Sequence, residues 1–493
     1  MQQVNHWIAK RAQQTPKKVA LIQIETGETW TYEQLMAHIG GWLAFFQEHR
    51  LERGSRVASL VENTMDCFAL LFACSFEQLI YVPINTKMAL VEQQYVIADC
   101  TPSILITDDT HEVRAQALLQ ERTFNKRSPS IPMMSHRWSD EPTTPWLIIY
   151  TGGTTGKAKG VVLSYEAVTT NAINTVLSWG LSARDCTLNY MPLFHTGGIN
   201  ALALPILLAG GTVVIGQKFQ AARAVQALNE YKTTISLFVP TMYQMMVNTL
   251  YFQTHDFPTV TVFLSGGAPC PKAMYEIFAK KGLLFKEGYG LTEAGPNNFV
   301  IDAHIAMQKK GAVGKSMLLN DVQVMNEEGR QCAVGEVGEL CVRGSHVFSG
   351  YWQNDEETAK VLRDGWLHTG DFAYMDEDGD YAIMGRKKEM ILTGGENVYP
   401  QEVEQCLLAH PSIQEAAVLG VPHDIWGECV VAFIVAQQLD VDALRTYCKE
   451  MLAHYKIPKQ FYSVAQLPTT AVGKIDKKYL AQQAIAASQS TSS

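Results

Sequence analysis

The sequence lacks the signatures of several protein classes. Its ten cysteines are scattered and none forms a C-x-x-C pair, so neither a zinc site nor a dithiol redox motif is expected. Dispersed, unpaired thiols fit a reducing compartment. The chain has no long basic run and carries a net charge of −9, which disfavours nucleic acid as a partner. An anionic substrate would therefore have to be bound by local positive groups.

Long hydrophobic runs are also scarce. The longest apolar stretch, residues 199–215, is interrupted by Asn200, Pro205 and Gly210-Gly211, so it predicts a buried helix and turn rather than a membrane span. The first residues contain no charged segment followed by an apolar core, so no secretory signal is expected. These absences predict a cytoplasmic protein without a transmembrane segment.

What the sequence does contain indicates a large layered protein. A chain of 493 residues, 47% of them apolar, is too long for one hydrophobic core, so two or more domains are expected. Helix-like and strand-like segments alternate over the first 125 residues, with parallel strands predicted at 56–61 and 79–84, which is typical of an α/β fold. Residues 311–381 are rich in strand-like segments and turns, so they predict a small β unit.

Short strands and helices follow Arg386, and a polar tail closes the sequence. We therefore predict the α/β fold class. A large N-terminal domain would comprise layered α/β subdomains plus the small β unit, and a small α+β C-terminal domain would follow. The predicted boundaries are 1–387 for the first domain, 388–487 for the second and 488–493 for a disordered tail.

A run rich in glycine and threonine occupies residues 150–160, directly after an apolar strand-like segment. Its four glycines let the backbone turn tightly and expose N–H groups, while three threonines and two lysines add hydroxyl donors and positive charge. The run is not a Walker A loop, because Lys157 is followed by Ala158. It predicts a polyphosphate site, with a Gly/Thr hairpin that has a solvated basic end as the alternative. The candidate residues are Thr151, Gly152, Gly153, Thr154, Thr155, Gly156, Lys157 and Lys159.

This run resembles the phosphate loop of the adenylate-forming superfamily, which includes acyl-CoA synthetases, adenylation domains of peptide synthetases and beetle luciferases. Seven motifs that resemble those of the superfamily occur in its order between Ala20 and Lys478, almost the whole chain. One departure is that Gly152-Gly153 replaces the usual Ser-Gly, which removes one hydroxyl donor. The resemblance implies ATP, Mg²⁺ and coenzyme A as ligands, and a C-terminal domain that moves.

The resemblance also implies a nucleotide site. Tyr289 would offer its aromatic face to adenine, beside a flat turn without bulky side chains. Thr292 is the implied hydroxyl partner of the α-phosphate, and Glu293 the implied hard-oxygen ligand of Mg²⁺. Asp371 is implied to accept hydrogen bonds from the ribose hydroxyls, with Arg386 as the cationic partner of ribose or phosphate. The implied adenine residues are Gly266, Gly267, Ala268, Glu287, Gly288 and Tyr289.

The C-terminal motifs imply a hinge, a thiol-binding loop and a catalytic cation. Lys388 occupies the position where the superfamily hinges, and a charged, exposed residue between domains tolerates large backbone rotations. Lys474 lies in a P-x-x-x-x-G-K loop and is the implied bridge between the substrate carboxylate and the α-phosphate. Lys477 and Lys478 are expected to be ordinary surface residues. The implied pantetheine loop is Gly394, Gly395, Glu396 and Asn397.

The acyl pocket implied by the resemblance is mainly apolar or small, which favours an alkyl or aryl carboxylate. His195 is implied to stand beside the carboxylate and the thiol entrance, although a lone histidine next to a phenylalanine is more often a core residue. No basic residue occurs in the lining segments, which argues mildly against a dicarboxylate. The candidate lining residues are His195, Asn200, Phe238, Thr241, Gly266, Gly290, Ala294 and Gly295.

The function that the resemblance implies is an AMP-forming acyl-CoA synthetase. A carboxylate and ATP would give acyl-AMP and pyrophosphate, and coenzyme A would then give acyl-CoA and AMP. The implied catalytic residues are Lys474, Thr292, Glu293 and His195, the last as a weak candidate for the base of the thiol. A medium- or long-chain fatty acid is the favoured acid, with o-succinylbenzoate or an aryl or phenylpropanoid acid as alternatives. Loading of a carrier protein in trans, a homodimer and, remotely, a non-catalytic nucleotide-binding regulator stay open.

Overall fold

The computed structural model describes residues 6–119, 122–131, 141–152, 158–423, 426–470 and 475–490. Over these residues the chain forms four β-sheets with flanking helices, three sheets of seven strands and one of five. The first three sheets are built from residues before 388 and the fourth from residues after it. This arrangement confirms the predicted α/β fold class, with a large N-terminal part and a smaller C-terminal part.

Two largely parallel sheets share the main hydrophobic core. The first has the order β13 (Phe285–Glu287), β12 (Val262–Ser265), β11 (Ile235–Phe238), β9 (Cys186–Asn189), β10 (Thr212–Ile215), β1 (Val19–Gln23) and β2 (Thr29–Thr31). The second has the order β18 (Gly350–Tyr351), β8 (Lys159–Ser164), β7 (Pro145–Thr151), β4 (Ile80–Pro83), β3 (Arg56–Leu60), β5 (Ile104–Thr107) and β6 (Thr123–Asn125). Strands β3 and β4 are parallel, as the sequence predicts.

Two long helices hold these sheets together. Helix α2 (Tyr32–Glu48) begins at a capping box in which Thr31 and Gln34 exchange side-chain and backbone hydrogen bonds. Helix α3 (Met65–Phe76) contacts β4 of the second sheet and β1 of the first. Every α3 residue except Asp66 is buried, because this helix is apolar on nearly all sides and lies within the core.

The third sheet is antiparallel and corresponds to the predicted small β unit. Its order is β14 (Phe299–Val300), β15 (Ala312–Ser316), β21 (Tyr381–Arg386), β20 (Trp366–Met375), β17 (Gly338–Arg343) and β16 (Asp321–Met325), with β19 (Leu362–Arg363) paired to β20. Strand β18, which comes between β17 and β19 in the sequence, belongs instead to the second sheet. The chain therefore crosses from the third sheet to the second and back.

The fourth sheet follows a 3₁₀ turn at Lys387–Glu389, where the sequence predicts a domain boundary. Its order is β23 (Glu396–Val398), β22 (Ile391–Thr393), β25 (Gly427–Ala436) and β24 (Ile413–His423), with β26 (Gln460–Ser463) parallel to β25. Helices α14 (Pro400–Leu408) and α15 (Val441–Met451) cover one face of this sheet, and α16 (Lys477–Ser490) covers the other. Leu480 and Ala484 anchor α16 on the sheet, and the helix extends to Ser490, while residues 491–493 of the predicted tail lie outside the described residues.

The remaining helices flank the sheets of the N-terminal part. They are α1 (Trp7–Gln14), α4 (Leu90–Cys100), α5 (Glu112–Leu119), α6 (Tyr165–Trp179), α7 (Ala203–Ala209), α8 (Ala221–Glu230), α9 (Pro240–Val247), α10 (Leu250–Thr254), α11 (Lys272–Lys280), α12 (Ala303–Gln308) and α13 (Asp355–Val361). Among the described residues, no helix combines the length and the hydrophobicity needed to cross a bilayer. All ten cysteines are free thiols, and only Cys186 and Cys406 are partly exposed.

Candidate active site

The candidate site forms where several strands of the first sheet end. Strands β9, β11, β12 and β13 run parallel, so their carboxyl ends lie along one edge of the sheet. The segments that follow these four strands contain many of the predicted site residues, including those of the predicted adenine turn and of the loop that carries Glu293. A hydrogen bond of 2.8 Å from Gly288 N to Ser265 O joins the turns after β12 and β13. The sheet topology thus brings together motifs that are far apart in the sequence.

Tyr289, Asp371 and Arg386 form a polar cluster in this region. The Tyr289 hydroxyl donates to Asp371 Oδ2 at 2.5 Å, and Arg386 Nε lies 2.8 Å from Asp371 Oδ1. Asp371 and Arg386 face each other across the antiparallel strands β20 and β21, which fixes their spacing. Burial and the Asp371 carboxylate raise the pKa of Tyr289 well above its usual range, so this hydroxyl stays protonated and can donate. The structure brings these three predicted nucleotide-site residues together.

Glu287 stabilises the turn that carries the predicted adenine residues. Its Oε1 accepts a hydrogen bond from the Tyr275 hydroxyl at 2.8 Å, and its Oε2 accepts one from Cys270 N at 2.9 Å. Burial raises the pKa of Glu287 to about 7. Both carboxylate oxygens are thus engaged by the protein, while Gly267 and Ala268 are exposed nearby. Glu287 therefore acts on the shape of the turn, and the glycine-rich turn itself is accessible to a ligand.

Glu293, the predicted metal ligand, lies in a 3₁₀ turn at Thr292–Ala294. Its Oε1 accepts a hydrogen bond from the Tyr351 hydroxyl at 2.9 Å, and its backbone carbonyl accepts one from Phe348 N at 2.8 Å. Within the part of the chain that the structure describes, Oε2 has no hydrogen-bond partner. A half-buried carboxylate with one oxygen available, next to the Thr292 hydroxyl, is a donor set that fits Mg²⁺.

The predicted phosphate run begins in one strand and ends in the next. Thr151 closes β7 and Lys159 opens β8, and the two residues are paired across the antiparallel ladder. The Lys159 ammonium forms an ion pair with Glu357 and lies 5.0 Å from the centroid of the Tyr351 ring. Gly152 follows β7 at the start of the hairpin loop. The other candidates of this run, Gly153, Thr154, Thr155, Gly156 and Lys157, lie outside the described residues.

The acyl-pocket candidates His195 and Asn200 belong to an irregular helical segment. A single π-helical turn, Gly197–Ala201, follows His195, whose ring makes an edge contact with Phe194 at 4.7 Å between centroids. Asn200 Nδ2 donates to Thr196 Oγ1 at 3.0 Å, and the backbone carbonyl of Asn200 accepts a hydrogen bond from Asn171 Nδ2 at 2.7 Å. The Oδ1 atoms of both asparagines are buried without a hydrogen-bond partner. Side-chain hydrogen bonds therefore hold the π-helical turn in place, while the buried Oδ1 atoms of Asn171 and Asn200 have no hydrogen-bond partner among the described residues.

Asn171 also limits the space at Gly295. A Cβ atom at Gly295 would lie 2.8 Å from Asn171 Oδ1, and Gly295 has a φ of +68°, so glycine is required there. At Gly290 a Cβ atom would lie 2.2 Å from the backbone of Pro296, so this glycine permits a close backbone approach. Ala294 is fully buried between them in the sequence. These residues shape the loop that carries Glu293.

Phe238 does not line the site, which corrects the sequence prediction. Its ring is fully buried in the core and contacts Tyr243 edge-on at 5.5 Å. Because side chains alternate along a strand, the preceding residue Leu237 faces the other way, and a Cβ atom at Gly266 would lie 3.4 Å from Leu237 Cδ1. Thr241 is exposed in the first turn of α9. Leu237, on the opposite face of β11, is therefore the residue of this strand that lies next to Gly266.

The predicted hinge and pantetheine loop are both exposed. Lys388 lies in the 3₁₀ turn before β22. Residues 394–397 are exposed and span the turn between β22 and β23, where Gly394 and Gly395 have φ values of +60° and +86°. Lys474 lies outside the described residues. The C-terminal part contacts the N-terminal part through Gln405 Nε2, which donates to Cys270 O at 3.2 Å.

Lys477 is not the ordinary surface residue that the sequence suggests. Its ammonium lies 2.8 Å from Glu404 and 3.4 Å from Glu389, and its side chain is only 25% exposed. The ion pairs tie the start of α16 to the 3₁₀ turn that contains Lys388. Lys478, by contrast, is exposed.

Two sequence profiles match the chain. The profile described as "AMP-binding enzyme" matches residues 8–352, which is more than half of the chain. The profile described as "AMP-binding enzyme C-terminal domain" matches residues 402–474.

Known proteins resemble the chain over nearly its full length. A feruloyl-CoA synthase of an Amycolatopsis species is 34% identical over 97% of this chain and 98% of its own length. An indoleacetate–CoA ligase of Aromatoleum aromaticum is 32% identical over 96% of this chain and 97% of its own. The solved structure of o-succinylbenzoate CoA synthetase from Bacillus subtilis, in complex with its acyl-adenylate intermediate, has a TM-score of 0.87 and 29% identity, covering 96% of this chain and 97% of that one. The same enzyme has been solved with ATP and a magnesium ion.

Proposed function

The chain belongs to the AMP-binding enzyme family, in its acyl-CoA synthetase branch, and on this premise we propose that it is an aryl-CoA ligase that activates an aromatic carboxylic acid. It is an AMP-forming acid–thiol ligase, and its ligands are ATP, Mg²⁺ and coenzyme A. The observation that carries the proposed acid class is that the three related enzymes act, by name, on ferulate, indoleacetate and o-succinylbenzoate, which are all aromatic acids.

The pocket residues fit such an acid. Gly266, Ala294 and Gly295 leave little side-chain bulk, and Leu237 adds an apolar wall next to Gly266. A flat ring needs a narrow, mainly apolar slot of this kind. A medium- or long-chain fatty acid is the second candidate, because the same residues would also accept an alkyl chain. The two acids differ in shape, so substrate kinetics separate them.

The proposed reaction has two half-reactions in one site. In the first, the carboxylate attacks the α-phosphorus of ATP, and pyrophosphate leaves. Asp371 and Arg386 hold the ribose, Tyr289 stacks on adenine, Thr292 contacts the α-phosphate and Glu293 is the carboxylate ligand of Mg²⁺, which neutralises phosphate charge when bound. Asp371 is only 4% exposed, and its carboxylate contacts Tyr289 and Arg386. These contacts keep the carboxylate oriented before the nucleotide binds.

In the second half-reaction the thiol of coenzyme A attacks the acyl-adenylate and AMP leaves. We assign residues 388–487 to a domain that rotates about Lys388, so that Lys474 leaves the site and the exposed loop at 394–397 enters it. Such a rotation would separate the Gln405 hydrogen bond to Cys270 O and the edge contact between the Tyr399 and Phe372 rings, which lie 5.7 Å apart between centroids. His195 stands at the thiol entrance in this scheme.

The test is pyrophosphate release from Mg·ATP with ferulate, indoleacetate, o-succinylbenzoate, benzoate, octanoate and palmitate, each with and without coenzyme A. The proposal expects the highest kcat/KM with an aromatic acid and stimulation by coenzyme A. Preference for palmitate or octanoate would replace the aromatic acid by a fatty acid. Release that coenzyme A never stimulates would point to a carrier protein as acceptor, and no release with any acid would contradict the proposal.

The role of Lys474 is tested in the same assay. Lys474→Ala is expected to lower pyrophosphate release at least 100-fold, roughly the loss of one electrostatic transition-state contact, while ATP still binds. Lys478→Ala is the matched control, because Lys478 is an exposed lysine four positions later. Unchanged release in the Lys474 variant would refute its assignment.

A further inference from the structure

A short chain segment at residues 348–358 connects two parts of the ATP site. Its strand β18 pairs antiparallel with β8, with Tyr351 opposite Val161. Hydrogen bonds from Ser349 N to Val162 O at 2.9 Å and from Trp352 N to Gly160 O at 2.7 Å extend this pairing. Strand β8 is the strand that leaves the predicted phosphate loop. The segment is therefore fixed to the backbone next to that loop.

The same segment contacts the loop that carries Glu293. The Tyr351 hydroxyl donates to Glu293 Oε1 at 2.9 Å, and Phe348 N donates to the Glu293 carbonyl at 2.8 Å. A tyrosine hydroxyl is protonated at neutral pH and can donate this hydrogen bond, whereas an ionised carboxylate can only accept it. One carboxylate oxygen of Glu293 is thus held, and the other has no hydrogen-bond partner among the described residues.

The Tyr351 ring is itself held in place. Lys159 lies over one face, 5.0 Å from the ring centroid, and its ammonium pairs with the Glu357 carboxylate. Hydrogen bonds from Lys159 and then Lys360 lower the pKa of Glu357 to about 2, so this carboxylate is charged at neutral pH. Tyr351 N donates to Thr358 Oγ1 at 2.9 Å. The backbone, the ring and the hydroxyl of Tyr351 each have a defined partner.

We propose that Tyr351 is a positioning residue for the metal-binding carboxylate of Glu293, linking it to the strand that leaves the phosphate loop. The inference rests on the proposed role of Glu293. Without the Tyr351 hydroxyl, the Glu293 side chain would sample several rotamers, and Mg²⁺ would have to order it on binding. Lys159, being paired with Glu357, acts through the Tyr351 ring rather than as a free cation for the phosphates.

The test is Tyr351→Phe, which removes the hydroxyl and keeps the ring. The Mg²⁺ concentration for half-maximal pyrophosphate release is expected to rise about tenfold, the size of one lost hydrogen bond to a charged group, and excess Mg²⁺ should restore most of the rate. Calorimetric titration gives a second readout: Mg²⁺ should strengthen ATP binding about tenfold less than in the wild type, while AMP binding without metal is unchanged. Tyr32→Phe is the matched control, because Tyr32 is also buried and donates to two backbone carbonyls away from the site.

The outcomes separate the inference from the proposed function. An unchanged Mg²⁺ dependence in Tyr351→Phe, or an equal loss of AMP and Mg·ATP binding, would overturn the positioning role. Glu293→Gln should show the same change in a stronger form, and it covers the case in which Tyr351→Phe is poorly folded. If the wild type releases no pyrophosphate with any acid, the proposed function fails. The titrations of Mg²⁺ and ATP would still report on Tyr351.

Discussion

Replacing Asp371 by asparagine tests the assignment of the ribose site. The variant keeps the shape of the side chain and loses its charge. Asp371 is 4% exposed and has Tyr289 and Arg386 as partners, but the Arg386 side chain is 41% exposed, so water compensates for part of the lost ion pair. We expect the free energy of unfolding to fall by about 1–2 kcal/mol, since two charge-assisted interactions become neutral ones. The folded protein should therefore remain available for binding studies.

The effect on ATP is expected to be larger. A carboxylate can accept one hydrogen bond from each ribose hydroxyl, whereas an amide has one oxygen to offer. Hydrogen bonds to a charged group contribute about 1.5–3 kcal/mol and neutral ones about 1 kcal/mol, so the change costs roughly 2 kcal/mol. That corresponds to a Kd about 30-fold higher for Mg·ATP in Asp371→Asn.

The assay compares ATP with 2′-deoxy-ATP in both proteins by calorimetric titration. In the wild type, loss of the 2′-hydroxyl should weaken binding about tenfold. In the variant that ratio should fall to about two, because the acceptor is already impaired. Asp380→Asn is the matched control: Asp380 is a buried carboxylate of the same hairpin, paired with Lys309 and Lys315. If the Kd of 2′-deoxy-ATP divided by the Kd of ATP is the same in the wild type and in Asp371→Asn, the assignment is refuted.

Three further predictions concern other parts of the chain. Glu287→Gln should flatten the pH dependence of stability, because the pKa of Glu287 is about 7 in the fold against an ordinary 4.5. As pH rises between these two values, the free energy of unfolding of the wild type should fall by roughly 1.4 kcal/mol per pH unit. Urea unfolding at pH 5 and pH 8 measures this fall, and an equal fall in the wild type and the variant would contradict the prediction. Gly266→Ala should leave Tm within about 2 °C, since the added Cβ meets only ordinary contacts. The KM of the variant relative to the wild type should rise more for ferulate than for benzoate. An equal change in KM for the two acids would exclude Gly266 from the pocket. Lys477→Ala should lower the free energy of unfolding by about 1–3 kcal/mol, because it leaves the Glu404 and Glu389 carboxylates without their cation. The control Lys478→Ala should change the free energy of unfolding by less than about 0.5 kcal/mol. Thermal unfolding measures both changes.

The sequence predicts the layered fold well, because the order of helices and strands depends on local patterns. Alternating segments predict parallel strands at 56–61 and 79–84, which are β3 and β4. The site motifs follow strands, and parallel strands place their carboxyl ends together. Tyr289 follows β13 of the first sheet in this way, whereas Asp371 and Arg386 face each other across the antiparallel strands β20 and β21 of the third sheet, so their contact with Tyr289 depends on how the two sheets pack.

What the sequence does not predict are contacts set by packing between distant elements. Tyr351 lies in a segment that leaves the third sheet to pair with β8, and only the Gly-Tyr-Trp string at 350–352 hints at a short strand. The resemblance implies Phe238 as a pocket residue, but its ring is fully buried in the core, and which face of β11 meets the core depends on packing against distant elements. Lys477 resembles any lysine of a helix start, and its burial depends on Glu389 and Glu404 arriving from elsewhere.

The burial of the cysteines has a practical consequence for measuring domain motion. Eight of the ten native thiols are buried and two are partly exposed, so a maleimide dye will meet few competing sites on the folded protein. Replacing Cys186 and Cys406 by serine would lower that background further. Cysteines introduced at exposed positions such as Lys272 and Asp442 could then carry a donor and an acceptor fluorophore, one on each side of the Lys388 turn. Energy transfer between them would report whether the proposed rotation about Lys388 occurs in single molecules during the two proposed half-reactions.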